Sequence, residues 1–376
     1  MQRYFKYSII FWFLFGSCKS SEKLLSDVWV GTNRSIDMTI PYPYFIQMNE
    51  HQIELLDYKS QIVDSVNVHK TTETGDTILF NNNPSLILWK SNDVLNTFPL
   101  NDTLSFPISE GNLNWKYRIR FRKALQANIK SQVNLEYRTF KCPEMPNNPN
   151  TDLKINKYWK FENGQLTTTY DYYYLGQYIY QEYQKTAYTL TRIDDLLFIS
   201  ENVDPENNPK TLYQVLKISD SGMTLRYFDD SDEKIEEFTT ISSLKVPMAG
   251  NEFHPCFEGF TGEYYYTSTG DVTYLKGNDF LVKKISDQAP VSKGDGYINV
   301  HFTVNCRGEI GHIGLEQMDT NFQKIAFDFG LVNHIISQVV QLKDWPSIDG
   351  EYLGFKDVHA FLMFKIENGK ITDLCP

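Results

Sequence analysis

Four cations stand at every second position of one short stretch, Lys116, Arg118, Arg120 and Arg122. On a strand they share a face at roughly 6 to 7 Å spacing. Such a row suits an anionic ligand, a phosphate- or carboxylate-bearing glycan or an acidic protein. It serves equally as a solvent face paired with Glu and Asp of neighbouring strands, and that second reading is the favoured one. Three histidines, His301, His312 and His359, fall on one polar strand face and have the donors of a zinc site. No carboxylate or thiolate stands at ligand spacing beside them, so no metal is expected, and no cofactor. Tyrosines crowd 170–183, where aromatic faces either stack on sugar rings or simply pack, packing being the usual role on strands. The acids of 229–233 lack the glycine and spaced ligands of a calcium loop. GxSxG, HExxH, glycine-rich phosphate loops and paired CxxC are all absent, and the chain reads as a non-enzyme.

Five cysteines remain to be placed. Met1 to Ser17 carries Arg3 and Lys6 and then an apolar run to Phe15, too short for the roughly 20 residues of a membrane helix, so 1–17 is expected to be a signal peptide. Phe15-Gly16-Ser17-Cys18 resembles a bacterial lipobox, which implies acylation of Cys18, a tether over 18–23, and a place in the cell envelope, on the outer membrane facing the periplasm or the exterior. The other four, Cys142, Cys256, Cys306 and Cys375, would then meet an oxidising compartment, where they permit three full pairings. Cys256 with Cys306 is the pair chosen, with an entropic stabilisation on the order of 4 kcal/mol.

The elements that hold these residues are mostly strands. The chain has 376 residues and a formal charge of -11, which becomes -13 when Arg3 and Lys6 leave with the leader. That balance argues against nucleic acid as a partner. Phe, Tyr and Trp form 15% of the chain, a load typical of strands. Short alternating runs broken by turn-formers over 24–140 predict about eight strands, a barrel or sandwich. Proline-rich 141–152 is read as a linker, and 153–246 as a second β unit with a hairpin at Ile193-Asp194-Asp195-Leu196. A third unit spans 247–376, with its core at 277–376. Asp27-Val28-Trp29-Val30-Gly31 resembles, without the usual preceding Gly, the first strand of lipocalin-like domains.

In the third unit, Ile298, Val300, Phe302 and Val304 alternate with polar residues on a half-buried strand. Cys306-Arg307-Gly308-Glu309 offers a turn; with Cys306 opposite Glu309, Phe302 faces Ile313 and Val300 faces Leu315. Leu331, Val332, Ile335, Ile336 and Val339 follow helical spacing, ended by Trp345-Pro346. Val358, Ala360, Leu362, Phe364 and Ile366 mark a further strand that ends at the turn Asn368-Gly369. Residues 277–287 supply a short preceding helix. The register turns Ile310, Phe361 and Met363 to the opposite face beside the histidines, an apolar cluster expected to dock on the β body of the same chain or on a partner.

The ordered set Gly296-x-Ile298-x-Val300-x-Phe302-x-Val304, Gly308-x-Ile310, Trp345-Pro346, Gly350 and Phe364-x-Ile366 resembles the TonB C-terminal domain family. Its Val304-Asn305-Cys306-x-Gly308 element is similar to the form found in exported proteins of Bacteroidetes-type bacteria. The resemblance implies a β-β-α-β module that binds a protein, here an envelope protein recruited by strand addition. No Pro-rich spacer or uncleaved membrane helix accompanies it, which argues against energy coupling. The expected fold is thus mainly β, antiparallel barrel or sandwich units followed by an α+β module. The alternative function is a lipocalin-like barrel that binds a small apolar ligand or an anionic glycan.

Overall fold

A computed structural model describes residues 28–31, 45–48, 52–57, 59–67, 77–78, 86–91, 94–99, 119–127, 129, 133–143, 151–202, 211–228, 233–242, 250–256, 274–346 and 357–375. The leader, Cys18 and its tether, Lys116, Arg118, Gly350 and most of the expected linker lie outside them.

Turn chemistry sets the strand order. Eight strands, β1 (Val28–Gly31), β2 (Phe45–Met48), β3 (Gln52–Leu56), β4 (Ile62–Asn67), β5 (Thr77–Ile78), β6 (Leu86–Ser91), β7 (Val94–Pro99) and β8 (Ile119–Lys123), form one sheet in the order β4-β3-β2-β1-β8-β7-β6-β5. The next eight are β9 (Thr139–Lys141), β10 (Lys154–Glu162), β11 (Gln165–Tyr174), β12 (Gln177–Ile193), β13 (Leu196–Asn202), β14 (Thr211–Ser219), β15 (Gly222–Phe228) and β16 (Glu233–Ile241). The short β17 (Asn251–Glu252) lies parallel beside β12; each of the eight pairs with its neighbour in the chain, and β16 returns to β9. That is a closed up-and-down barrel, which leaves none of its strands with a bare edge. The expected hairpin stands, with Ile193 opposite Leu196 and Asp194 at φ 51°. Asn163-Gly164 and Leu175-Gly176 make turns of the same length, both residues of each pair having positive φ, as type I′ hairpins require.

The barrel therefore lies later in the chain than the lipocalin-like opening suggests. Trp29, with no exposed surface, sits in the first sheet and pairs with Ile46 and Lys123. The chain divides into two compact units, Met1–Asn134 with Ala187–Glu237, and Leu135–Thr186 with Phe238–Pro376. These are not the consecutive segments 24–140, 153–246 and 247–376: the divisions fall inside the long strands β12 and β16, because a closing barrel joins residues far apart in sequence.

In the first unit Val28, Val30, Phe45 and Leu56 pack with Ile193, Phe198 and Leu212, and the Phe45 and Phe198 rings lie 4.8 Å apart. In the second, Trp159 packs with Phe238 at 4.9 Å and Phe161 at 6.2 Å. Burying such a side chain contributes about 1.5–3 kcal/mol.

The second unit ends in an α+β module. Its strands are β18 (Gly296–Val304), β19 (Ile310–Met318), β20 (Val358–Glu367) and β21 (Lys370–Cys375), ordered β19-β18-β20-β21. Two helices, α1 (Asn278–Ser286) and α2 (Phe329–Val339), accompany them. Leu331, Val332, Ile335, Ile336 and Val339 of α2 are buried with Ile298, Val300, Phe302 and Val304 of β18 in one apolar core, as their periodicity requires. The helix ends at Val339, six residues before Trp345. The fourth strand, β21, was not expected. Asn368-Gly369, with φ of 50° and 70°, is a hairpin turn into it rather than a terminus. A bulge between Lys365 and Ile366 puts Ile371 and Leu374, three apart, both in the core and hides the period of two.

Candidate functional site

The two edges of the terminal sheet differ. The β19 edge is occupied by its own chain. The Leu315 carbonyl accepts the Asp152 N–H at 2.7 Å and its N–H donates to Thr151 Oγ1 at 3.1 Å. Further along, the Gln317 side chain accepts from the Tyr174 hydroxyl at 3.1 Å and the Phe327 N–H at 2.9 Å, and donates to Asp152 at 3.2 Å. The end of the presumed linker is thus an edge cap. At the other end the His312 N–H donates to the Glu182 carboxyl at 2.7 Å.

Glu182 is 2% exposed. Burial pushes its pKa up to about 8, against the pull of the His312 N–H, so it is neutral at neutral pH. A neutral carboxyl still has an oxygen to accept that N–H. His312 is displaced from the strand, at φ 54°, because two residues of β19 oppose one of β18 here: His301 pairs with Gly314, and Thr303 with Gly311. Its side chain is 47% exposed; partial burial and the neighbouring His359 hold the imidazole below its usual value, against Asp357.

This bulge corrects one expected contact residue. Val304 pairs with Ile310 and Asn305 bonds Glu309 across the turn, one residue away from the expected Cys306–Glu309 pairing. Ile310 is therefore turned to the core side and is 5% exposed, while the bulge restores Val300 opposite Leu315. Phe361 and Met363 do face the other side and are half-buried. On that side a Cβ at Gly314 would strike the His301 ring, and one at Gly311 the Phe253 ring. Phe253 is 1% exposed, so part of the expected partner face is covered from within the same unit. Tyr297 stacks on Phe322 at 5.7 Å, and Phe322 is 68% exposed.

The β18–β19 turn is tied down at several atoms. Asn305 Oδ1 accepts the N–H groups of Arg307 and Glu309, both at 3.0 Å, and Nδ2 donates to the His254 carbonyl at 2.9 Å. Gly308 has φ 73°, and a Cβ there would lie 2.7 Å from the Trp345 carbonyl, so only glycine fits. Cys306 is bonded to Cys256, the expected pair. Cys142 is buried and in no disulfide; the Cys375 side chain and Cys18 lie outside the described residues.

Across the sheet, β21 has a strand on one side only among the described residues. The Leu374 N–H is met by the Asp373 carboxylate at 2.8 Å rather than by a further strand. Thr372 is the extra residue of the bulge. Nothing local in the sequence distinguishes this edge from β19, since the cap comes from residues about 160 positions away.

Of the basic row, Arg122 is half-buried on β8 opposite Val30 and Val94, and its Nε is buried without a hydrogen-bond partner. Arg120 lies opposite Asn96; its side chain, like Lys116 and Arg118, is outside the described residues. Tyr172, Tyr174 and Tyr180 join the terminal core. Among the described residues no three His, Cys, Asp or Glu side chains converge on a metal position, and no helix is long and apolar enough to cross a membrane. Compared with known proteins, the chain matches no family model and no curated sequence.

Proposed function

We propose that this is a non-enzymatic, lipid-anchored cell-envelope protein whose terminal module, similar to TonB C-terminal domains, captures an extended segment of another envelope protein at β21. One observation carries the reading: of the two sheet edges, β19 is occupied by Thr151, Asp152 and Glu182 of the same chain, whereas among the described residues β21 has a strand on one side only. Strand addition supplies affinity through backbone hydrogen bonds and selectivity through alternate side chains. The incoming strand would displace the Asp373 carboxylate from the Leu374 N–H.

Thr372→Pro tests this directly. Thr372 is the bulge residue, so proline there gives up its hydroxyl's 3.4 Å bond to the Lys365 carbonyl but no ladder pair with β20, while it obstructs a new strand. Partners recovered from envelope extracts by the wild-type protein are expected to protect β21 amides from hydrogen exchange and to be lost by the variant. Protection confined to other elements, or undiminished capture by Thr372→Pro, overturns the reading.

The closed eight-stranded barrel supports a second reading, a binder of a small apolar ligand or a glycan, because barrels of this strand number hold one small ligand in other proteins. Saturable binding of a fluorescent fatty acid with no strand capture at β21 would favour it.

A further inference from the structure

A cleft of about 690 Å³ lies within the second unit, in the size range of ligand sites. Four separate stretches wall it: 178–181 at the start of β12, 250–252, 307–310 in the β18–β19 turn, and 340–343 after α2. They are pinned to one another. Asn251 Nδ2 donates to the Val340 carbonyl at 3.2 Å, Arg307 Nη2 to the His254 carbonyl at 3.2 Å, and the Cys256–Cys306 bond closes the same corner. Gly250 lies against the Gln181 carbonyl so closely that any Cβ would collide. The cleft is preformed, which removes an ordering penalty from binding.

Its charges are asymmetric in availability. The Glu309 carboxylate is engaged by Arg307 Nε at 2.9 Å, Arg307 Nη2 at 2.7 Å and Asn305 Nδ2 at 2.7 Å. The Arg307 and Asn305 bonds hold its pKa below the usual carboxylate range. Glu252 is shared between His254 at 3.0 Å and Lys185 at 3.9 Å. Both acids are thus spoken for. Lys343 is exposed and in no ion pair among the described residues, Gln341 is exposed beside it, and Arg307 has Nη1 to spare. A half-buried tyrosine, Tyr178, supplies an aromatic face. Lys343 thus brings to the cleft a cation outside any ion pair among the described residues, and a lining with four charged side chains would strand the tail of a lipid.

We propose that the cleft binds a small carboxylated saccharide, its carboxylate on Lys343 and the Arg307 Nη1, its hydroxyls on the Gln341 amide, and a ring on Tyr178. Charge-assisted bonds of this kind carry most of the affinity, and sugar rings stack on tyrosine. The site is independent of protein capture at β21.

Titration calorimetry of the whole protein with digalacturonate tests the assignment, beside its neutral counterpart digalactose and a tetrapeptide with a free carboxylate. Saturable binding of digalacturonate is expected, weakened at least ~10-fold by Lys343→Ala, with digalactose weaker by a similar factor. Both Lys343 and Gln341 are exposed, so Lys343→Ala and Gln341→Ala leave the fold intact, as circular dichroism checks. No saturable heat at millimolar digalacturonate overturns the proposal. Binding unchanged by both substitutions does so too, and a tetrapeptide that binds as tightly as the sugar refutes the saccharide class.

Discussion

Glu182 shows how one side chain can carry a fold-level contact at the expense of stability. Its carboxyl is buried against the backbone of a bulge, where ionisation is opposed by desolvation. In the folded protein it titrates near 8, in the unfolded chain near 4.5. Between those values the native state holds a proton that the unfolded state has released, so stability falls as pH rises through that window and levels off above it. Glu182→Gln keeps an acceptor for the His312 N–H and removes the titration. The variant is expected to be more stable than wild type by ~1–3 kcal/mol at pH 8 and close to it at pH 4. Urea midpoints at the two pH values check this; equal midpoints at pH 8 would mean that Glu182 ionises without strain.

Elements place these residues through irregularities more than through regular strands. In the β18–β19 hairpin the three-residue loop with Gly308 at φ 73° shifts the register by one, and the bulge at His312 shifts it back. Between the two irregularities Ile310 changes face. The alternation of β18 and β20 was legible because both are central strands of the sheet with one buried face, but Ile310 and the strand β21 were not, because each lies beside a bulge. Residues 250–256 are held to this hairpin by Cys256–Cys306, a sequence separation of 50. Replacing both cysteines by serine is expected to lower stability by about 4 kcal/mol at most, and to speed amide exchange at Phe253, whose N–H donates to the Tyr183 carbonyl at 3.0 Å. Thermal unfolding together with exchange at that amide tests it; unchanged protection would show that Gly250 and Phe253 hold the segment without the bridge.

For the whole molecule, closure of the barrel is what overrides the linear order of segments. β9 pairs with both β10 and β16, so a stretch that reads as the end of one domain belongs to the next. The anchor inferred from Cys18 makes a prediction at this scale. Wild type is expected to partition with membranes, and Cys18→Ser to appear in the soluble fraction or to accumulate unprocessed. Equal membrane recovery of the two, followed by immunoblot of fractionated cells, would remove the lipid anchor from the proposal.

What the sequence determined by itself was the content of local periods and turns. Alternation in β18 and β20, helical spacing in α2, the hairpin at Asp194 and the turn at Asn368-Gly369 follow from steric rules that act over a few residues. The Cys256–Cys306 bond was also within reach, since few partners existed. The tertiary structure alone decided which strands close the barrel, that Thr151, Asp152 and Glu182 occupy the β19 edge while β21 has no outer strand among the described residues, and that four distant stretches meet around one cleft. Those outcomes depend on contacts between residues tens to hundreds of positions apart, and on bulges that change face without altering composition, so no local pattern encodes them.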